Sequence, residues 1–160
     1  MLLYLEPVRY LIRSLKFHSN HASARLLGHL MAEHLQSLEP PLPELIIPVP
    51  LHRNRLKGRG FNQSIELARP VSSTLEIPMP LDLCIRRRDT APQTGLRSKQ
   101  RQKNLKGAFE ITRPIEKKHV AIFDDVITTG CTVNEMAKLI RKNGAETIEI
   151  WSIARANLGA

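Results

Sequence analysis

The chain has 160 residues, of which 42% are hydrophobic and 24% charged, and it carries a formal net charge of +9. This length and composition indicate one globular domain over residues 1–160 and argue against a disordered chain. The two cysteines, Cys84 and Cys131, form no paired motif, so we expect neither a disulfide framework nor a zinc site. The first residues, with charges from Glu6 onward, resemble neither a signal peptide nor a membrane span. We therefore expect a cytoplasmic location.

The positive charge is concentrated in the middle of the chain. Residues 51–107 contain 13 lysines and arginines against 4 acidic residues, whereas acidic and basic residues balance elsewhere. This concentration favours a polyanionic partner, either pyrophosphate or nucleic acid, although a solvated basic face would show the same pattern.

The first 40 residues predict two helices. Apolar residues recur at helical spacing over Glu6–Lys16, and again from about Ala22 until Glu39 and Pro40 end the pattern. Each predicted helix has one apolar face, so both are expected to pack on the core as a helical N-terminal part.

A strand and a basic loop are predicted next. Leu45–Pro50 is typical of a buried strand whose end is fixed by prolines. The glycine-containing segment Leu51–Gly60 follows at once, and it predicts a loop that either cradles an anion or forms a basic surface. The helical pattern of Asn62–Leu75 contains Pro70, which predicts a kinked or split helix.

Strands alternate with one long loop and one helix in the second half. The segment Arg86–Arg101 is polar, aperiodic and contains proline and glycine, which predicts a mobile loop able to close over a charged substrate. A helix is predicted from Val133 to Asn143, ending at Gly144. The predicted strands are Leu81–Ile85, Ala108–Thr112, residues 119–124 and Thr147–Ile153. The alternation predicts an α/β fold with a mostly parallel sheet flanked by helices, and a ligand crevice at the carboxyl ends of the strands.

The most informative stretch joins the strand at 119–124 to the helix from Val133. The apolar run ends in Asp124 and Asp125, and a short turn follows, made of Thr128, Thr129, Gly130, Cys131 and Thr132. The free N–H groups at the start of a helix, with threonine hydroxyls and a glycine, predict a phosphate site. Two carboxylates repel a phosphate and instead suit a hydroxylated group beside it, such as a ribose, or a metal ion. An ordinary strand followed by a capped helix would need neither the second aspartate nor the Thr-Thr-Gly run.

This stretch resembles the phosphoribosyl-pyrophosphate (PRPP) motif of type I phosphoribosyltransferases. Further motifs, in order along the chain, are similar to those of the ComF/GntX family of phosphoribosyltransferase-domain proteins. They are the opening Tyr4–Phe17 helix, Pro48-Val49-Pro50, the run Arg59–Gln63, the loop Thr90–Leu96, Arg101, Asn104, Gly107-Ala108-Phe109 and Ala154-Arg155. The resemblance covers nearly the whole chain and implies a type I phosphoribosyltransferase-like fold with an N-terminal helical hood.

The resemblance also implies roles for individual residues. Asp124 and Asp125 would hold the ribose hydroxyls, and the turn from Thr128 to Thr132 would wrap the 5′-phosphate, with Cys131 contributing mainly its backbone. Mg²⁺ is expected to accompany PRPP. Many family members begin with a zinc module of paired cysteines, which are absent here, so we expect a naturally short form or a fragment without zinc. The pyrophosphate would meet Leu51, His52 and Arg53, and the flexible loop would contribute Arg97, Lys99 and Arg101.

Three functions are compatible with these features. The ComF resemblance implies a competence protein that handles or imports single-stranded DNA during natural transformation, with PRPP, single-stranded DNA and other competence proteins as partners. An active phosphoribosyltransferase, transferring ribose 5-phosphate from PRPP to a nitrogen base, is the alternative. A PRPP sensor without turnover is the third. No segment specifies an acceptor base, and seven aromatic residues are few for a base-stacking surface.

Overall fold

The computed structural model describes residues 2–39, 41–89 and 104–156. Its central sheet contains four parallel strands in the order β1-β6-β5-β2. These strands are β1 (Leu2–Leu3), β2 (Leu45–Pro48), β5 (His119–Ile127) and β6 (Thr147–Arg155). The predicted α/β fold with a mostly parallel sheet is therefore confirmed, although the two-residue β1 is too short to leave a sequence pattern.

Alternating side chains of the strands divide the core into two layers. Ile46, Ala121 and Phe123 pack against α1 (Val8–His18), α2 (His21–Ser37) and α4 (Gln63–Leu75) on one face. Ile47 and Ile122, on the other face, pack against α5 (Cys131–Lys142) and a separate two-stranded ribbon. Strands that are buried on both sides explain the continuous apolar runs of the sequence.

The ribbon consists of the antiparallel strands β3 (Cys84–Arg86) and β4 (Phe109–Ile111). Within the described part of the chain, an isolated parallel bridge joins Arg86 of the ribbon to His52, four residues after the end of β2. The predicted strands at Leu81–Ile85 and Ala108–Thr112 thus exist with shifted ends, and they form a ribbon separate from the parallel sheet.

The predicted basic loop is wrong, because its residues form a short helix, α3 (Arg53–Arg59). His52 begins this helix by accepting a hydrogen bond from the Asn54 backbone N–H at Nδ1, with an N···N distance of 3.3 Å. Gly60 ends it in the left-handed region, with φ of 84°. Local caps at both ends therefore convert a glycine-containing basic segment into a helix.

A kinked or split helix was predicted at Pro70, and the split does not occur, because α4 is one helix over Gln63–Leu75 with Pro70 inside it. A Cβ added to Gly28 of α2 would lie 2.6 Å from the Leu67 carbonyl oxygen and 2.8 Å from Pro70 Cγ. Tertiary packing against α2 therefore holds the helix together where local propensity predicts a break.

Candidate functional site

The acidic pair lies inside β5 rather than after it. The strand continues past Asp124 and Asp125 to Ile127, where its backbone still pairs with Arg155 of β6. On the other side, Phe123 pairs with Pro48 at the end of β2. The carboxyl ends of three parallel strands thus meet around the two aspartates, as expected for a ligand crevice.

Asp124 is held by two hydrogen bonds to one carboxylate oxygen. Its Oδ1 accepts from the Asp125 backbone N–H at 2.9 Å and from the Ser64 hydroxyl of α4 at 3.3 Å. Burial and the adjacent charge of Asp125 raise the pKa of Asp124 to about 8, opposed in part by the charge of Lys16. Asp124 therefore binds a proton more readily than an ordinary aspartate does.

Asp125 forms an ion pair with the N-terminal helical part of the chain. Its side chain is 7% exposed, and its Oδ2 contacts the ammonium of Lys16, near the end of α1. This role of Lys16 was not predicted from the sequence, although the residue belongs to the Leu-Lys-Phe run at the end of the first predicted helix. The only sequence signal for this contact is a charged residue directly after Leu15, which is buried in the structure.

The predicted phosphate-binding turn connects β5 to α5. The helix begins at Cys131, two residues earlier than predicted, and Gly130 at its N-cap has φ of 75°. No side chain caps this helix start, so its first backbone N–H groups face the turn. The turn lines a small cavity together with Asp124, and its lining residues include Thr128, Thr129, Gly130, Cys131 and Thr132. The structure therefore brings the acidic pair and the predicted phosphate-binding residues together.

The predicted pyrophosphate segment lies at the end of the neighbouring strand β2. Buried His52 caps α3, and its Nδ1 lies 3.5 Å from Asp89 Oδ2. Asn62 fixes the strand end from α4, because its side-chain amide donates to the Val49 carbonyl at 3.0 Å. Leu51, His52 and Arg53 line an open cavity of about 550 Å³ with Asn62 and Arg86.

Arg86 of β3 is a second residue whose place in the site was not predicted, since its sequence context indicates only a loop. Its guanidinium carbon lies 5.6 Å from the centre of the Phe109 ring, and its side chain is buried. Burial and the nearby charge of Arg55 lower the pKa of Arg86, whereas Asp89 and Asp124 oppose that shift. Arg86 therefore places a positive charge in the wall of the cavity, close enough to Asp124 for the two charges to interact.

Some sequence predictions lie outside the described residues. These are the motif Thr90–Leu96, most of the predicted mobile loop, and its residues Arg97, Lys99 and Arg101. Within the described ranges, no group of three or more His, Cys, Asp or Glu side chains is placed to hold a metal ion. None of the helices in those ranges combines the length and apolar character needed to cross a membrane.

Comparison with known proteins identifies relatives over most of the chain. A profile of the phosphoribosyl transferase domain matches residues 62–159. Competence protein F of Haemophilus influenzae is 41% identical over 160 residues, which cover 96% of this chain and 70% of that protein. DNA utilization protein YhgH of Escherichia coli O157:H7 is 39% identical over 158 residues, covering 95% of this chain and 69% of that protein. A solved allosteric regulatory enzyme of purine biosynthesis shares the fold, with a TM-score of 0.56 and 20% identity over 83% of this chain and 26% of its own.

Proposed function

The chain belongs to the phosphoribosyl transferase domain family and to the competence protein F family, and from this premise we propose that it is a PRPP-binding protein of DNA uptake. In this proposal it acts in the cytoplasm on single-stranded DNA that is imported during natural transformation, together with other competence proteins. The names of two relatives, a competence protein and a DNA utilization protein, support the role in DNA handling.

One observation carries the PRPP-binding part of this proposal: a partly buried pair of carboxylates lies beside a glycine-containing turn and a helix start that has no side-chain cap. In the proposal, Asp124 and Asp125 accept hydrogen bonds from the ribose hydroxyls. The turn from Thr128 to Thr132 surrounds the 5′-phosphate with backbone N–H groups and hydroxyls. The ligand thereby spans one crevice, and its 5′-phosphate is kept away from the carboxylates.

The pyrophosphate end of the ligand extends toward the end of β2. There the segment Leu51-His52-Arg53 and the buried Arg86 supply backbone donors and positive charge around the cavity. Arg97, Lys99 and Arg101 remain candidates for covering this group. These cations suit a pyrophosphate, whether it is bound or leaving, because positive charges that are already in position stabilise its negative charge without a rearrangement of the protein.

The residues of this site fit a magnesium ion, which needs only a few ligands from the protein. Mg²⁺ prefers carboxylate oxygens and usually keeps most of its other positions for water and for the oxygens of a phosphate ligand. Asp124 and Asp125 offer such oxygens, and they would hold the ion beside the ribose and pyrophosphate. When bound, it supplies positive charge to the pyrophosphate, while the protein's own residues orient the ribose.

Calorimetric titration of PRPP with magnesium tests the site. We expect the wild-type protein to bind, and we expect the double variant Asp124→Asn/Asp125→Asn to lose most of that binding. Asp82→Asn is the matched control, since Asp82 is an exposed carboxylate that pairs with Arg113 away from the crevice. A folded wild-type protein that does not bind PRPP would overturn the proposal.

The alternative function is an active phosphoribosyltransferase, and the cavity beside the pyrophosphate segment favours it. Its volume of about 550 Å³ is in the range of small-molecule sites, and its walls include the apolar side chains of Leu56, Ile65 and Ile85. An acceptor base needs an apolar space next to the ribose. Release of pyrophosphate from PRPP in the presence of a purine, a pyrimidine or a related base would establish this activity.

A further inference from the structure

The ion pair between Lys16 and Asp125 places a positive charge of α1, which lies outside the PRPP motif, against the acidic pair. The Lys16 side chain is 22% exposed and that of Asp125 is 7% exposed, so water reaches neither group freely. The same ammonium acts on Asp124, because its charge opposes the rise in the pKa of that carboxyl. Lys16 is thus a counter-charge for both members of the acidic pair.

The position of Lys16 is fixed by its helix. Ile12 and Leu15 of α1 are fully buried in the same apolar layer as Phe123 of β5 and Trp151 of β6. The chain before α1 is also anchored, since β1 pairs in parallel with the last residues of β6. An ammonium on such a helix cannot leave the crevice unless its long side chain changes rotamer or α1 moves.

We propose that Lys16 is a positioning residue of the PRPP site, which orients the Asp124–Asp125 carboxylates for the ribose and offsets their repulsion of the ligand. This inference rests on the proposed PRPP binding. PRPP carries several negative charges, and two adjacent carboxylates without a counter-charge would repel it. Lys16 therefore couples the N-terminal helical part of the chain to ligand affinity.

The test compares three variants in calorimetric titrations of PRPP at high and at low magnesium. Lys16→Met keeps the length of the side chain but removes its charge, and we expect at least about a tenfold loss of affinity, because removal of one partner leaves a buried charge unpaired. The loss should be larger at low magnesium, since the metal ion can replace part of the missing charge. Lys16→Arg should restore binding to near the wild-type level, and Arg13→Met, which removes an exposed cation of the same helix, should leave it unchanged.

A thermodynamic cycle separates the ion pair from a general effect on folding. We expect Lys16→Met to lower the melting temperature of the ligand-free protein, and to do so much less in an Asp125→Asn background. If Lys16→Met binds PRPP as tightly as the wild-type protein or more tightly, the role of Lys16 is overturned, and the proposed PRPP binding stands. If the wild-type protein itself does not bind PRPP, the proposed function fails, and the role of Lys16 in that site fails with it.

Discussion

At the scale of single residues, the two carboxylates of the acidic pair have different environments. Asp124 accepts two hydrogen bonds at one oxygen and lies beside a second carboxylate, which, together with burial, raises its pKa. Asp125 instead has the ammonium of Lys16 against it. Asp124 therefore holds a proton up to a higher pH than an ordinary aspartate does.

This difference predicts how stability depends on pH. Asp124 has an ordinary pKa of 3.8 and a folded-state pKa of about 8, so the folded protein binds more protons than the unfolded chain between these values. The destabilising effect of the ionised carboxyl is therefore absent at low pH and grows as the pH rises through this interval. The substitution Asp124→Asn removes this destabilising charge. The variant should therefore have the wild-type melting temperature near pH 4 and a melting temperature several degrees above wild type at pH 9, since each kcal/mol corresponds to about 2–4 °C.

Thermal melts of both proteins from pH 4 to pH 9 measure this effect. Asp82→Asn provides the comparison, because Asp82 is exposed and its pKa is lowered by a hydrogen bond from Arg113. That control should gain no stability at high pH. An Asp124→Asn protein that melts at or below the wild-type temperature at pH 9 would contradict the assignment.

Sequence alone predicts those site residues that are contiguous in the chain. Asp124 and the turn up to Thr132 are recognisable because one strand, one turn and one helix start supply all of them. Lys16 and Arg86 could not be assigned to the acidic pair in this way, since they come from α1 and β3 and reach it only through tertiary packing. No local pattern specifies which distant cation will lie beside a buried carboxylate.

At the scale of secondary-structure elements, the contact between α2 and α4 holds the helical layer together. Gly28 lies where the two helices approach most closely, with the Leu67 carbonyl and the Pro70 ring directly opposite its Cα. This contact keeps Pro70 within a continuous helix. It also supports α4, whose first turn supplies Ser64 to Asp124.

Gly28→Ala should therefore destabilise the protein, although alanine is the better helix former. The added methyl group would lie 2.6 Å from backbone oxygen, so the helices must separate, and overpacking of this kind costs about 1–3 kcal/mol. Gly58→Ala is the matched control, because an added Cβ there meets nothing within 4 Å on a helix exposed to solvent. It should be neutral or stabilise by up to about 1 kcal/mol.

Chemical denaturation of the two variants gives these free energies directly. Equal stability of Gly28→Ala and wild type would show that α2 and α4 can separate at no cost, and that the close approach does not support the site.

Helices and strands were predictable from the sequence where apolar residues recur over a long segment. They were not predictable where helix caps or tertiary contacts determine the structure. The helix pattern after Ala22 and the apolar run of β5 are examples of the first kind. The basic segment that forms α3 is the second kind, because its apolar content gives no helical face and the caps at His52 and Gly60 determine its structure. Pro70 belongs there too, since its effect depends on a glycine in another helix.

At the scale of the whole molecule, part of the positive charge of the chain lies on the helix next to the crevice. The short helix α3 follows the pyrophosphate segment and carries Arg53, Arg55, Lys57 and Arg59 within seven residues. Arg53 and Lys57 are exposed and four residues apart, hence on one side of the helix. Among the described residues, no carboxylate pairs with either of them. These two cations are therefore available to the backbone of a nucleic acid.

Binding of single-stranded DNA should consequently depend on salt through α3. Each phosphate that a cation neutralises contributes about −0.7 to the slope of log affinity against log salt concentration for a single strand. Arg53→Gln/Lys57→Gln should make that slope shallower by about 0.7 for each cation that binds a phosphate in the wild-type protein. The double variant should weaken binding similarly for all sequences, since phosphate contacts carry no base information. Fluorescence anisotropy with labelled oligonucleotides of different sequence, at several salt concentrations, measures both quantities.

Lys142→Gln serves as the control, because Lys142 is an exposed cation in the last turn of α5, at the opposite end of that helix from the phosphate turn. If this control changes the slope as much as the α3 variant does, binding depends on total charge rather than on α3. If the wild-type protein does not retain single-stranded DNA even at low salt, direct binding is excluded. The DNA-handling role would then require a partner protein, and the cations of α3 would serve only the pyrophosphate end of the crevice.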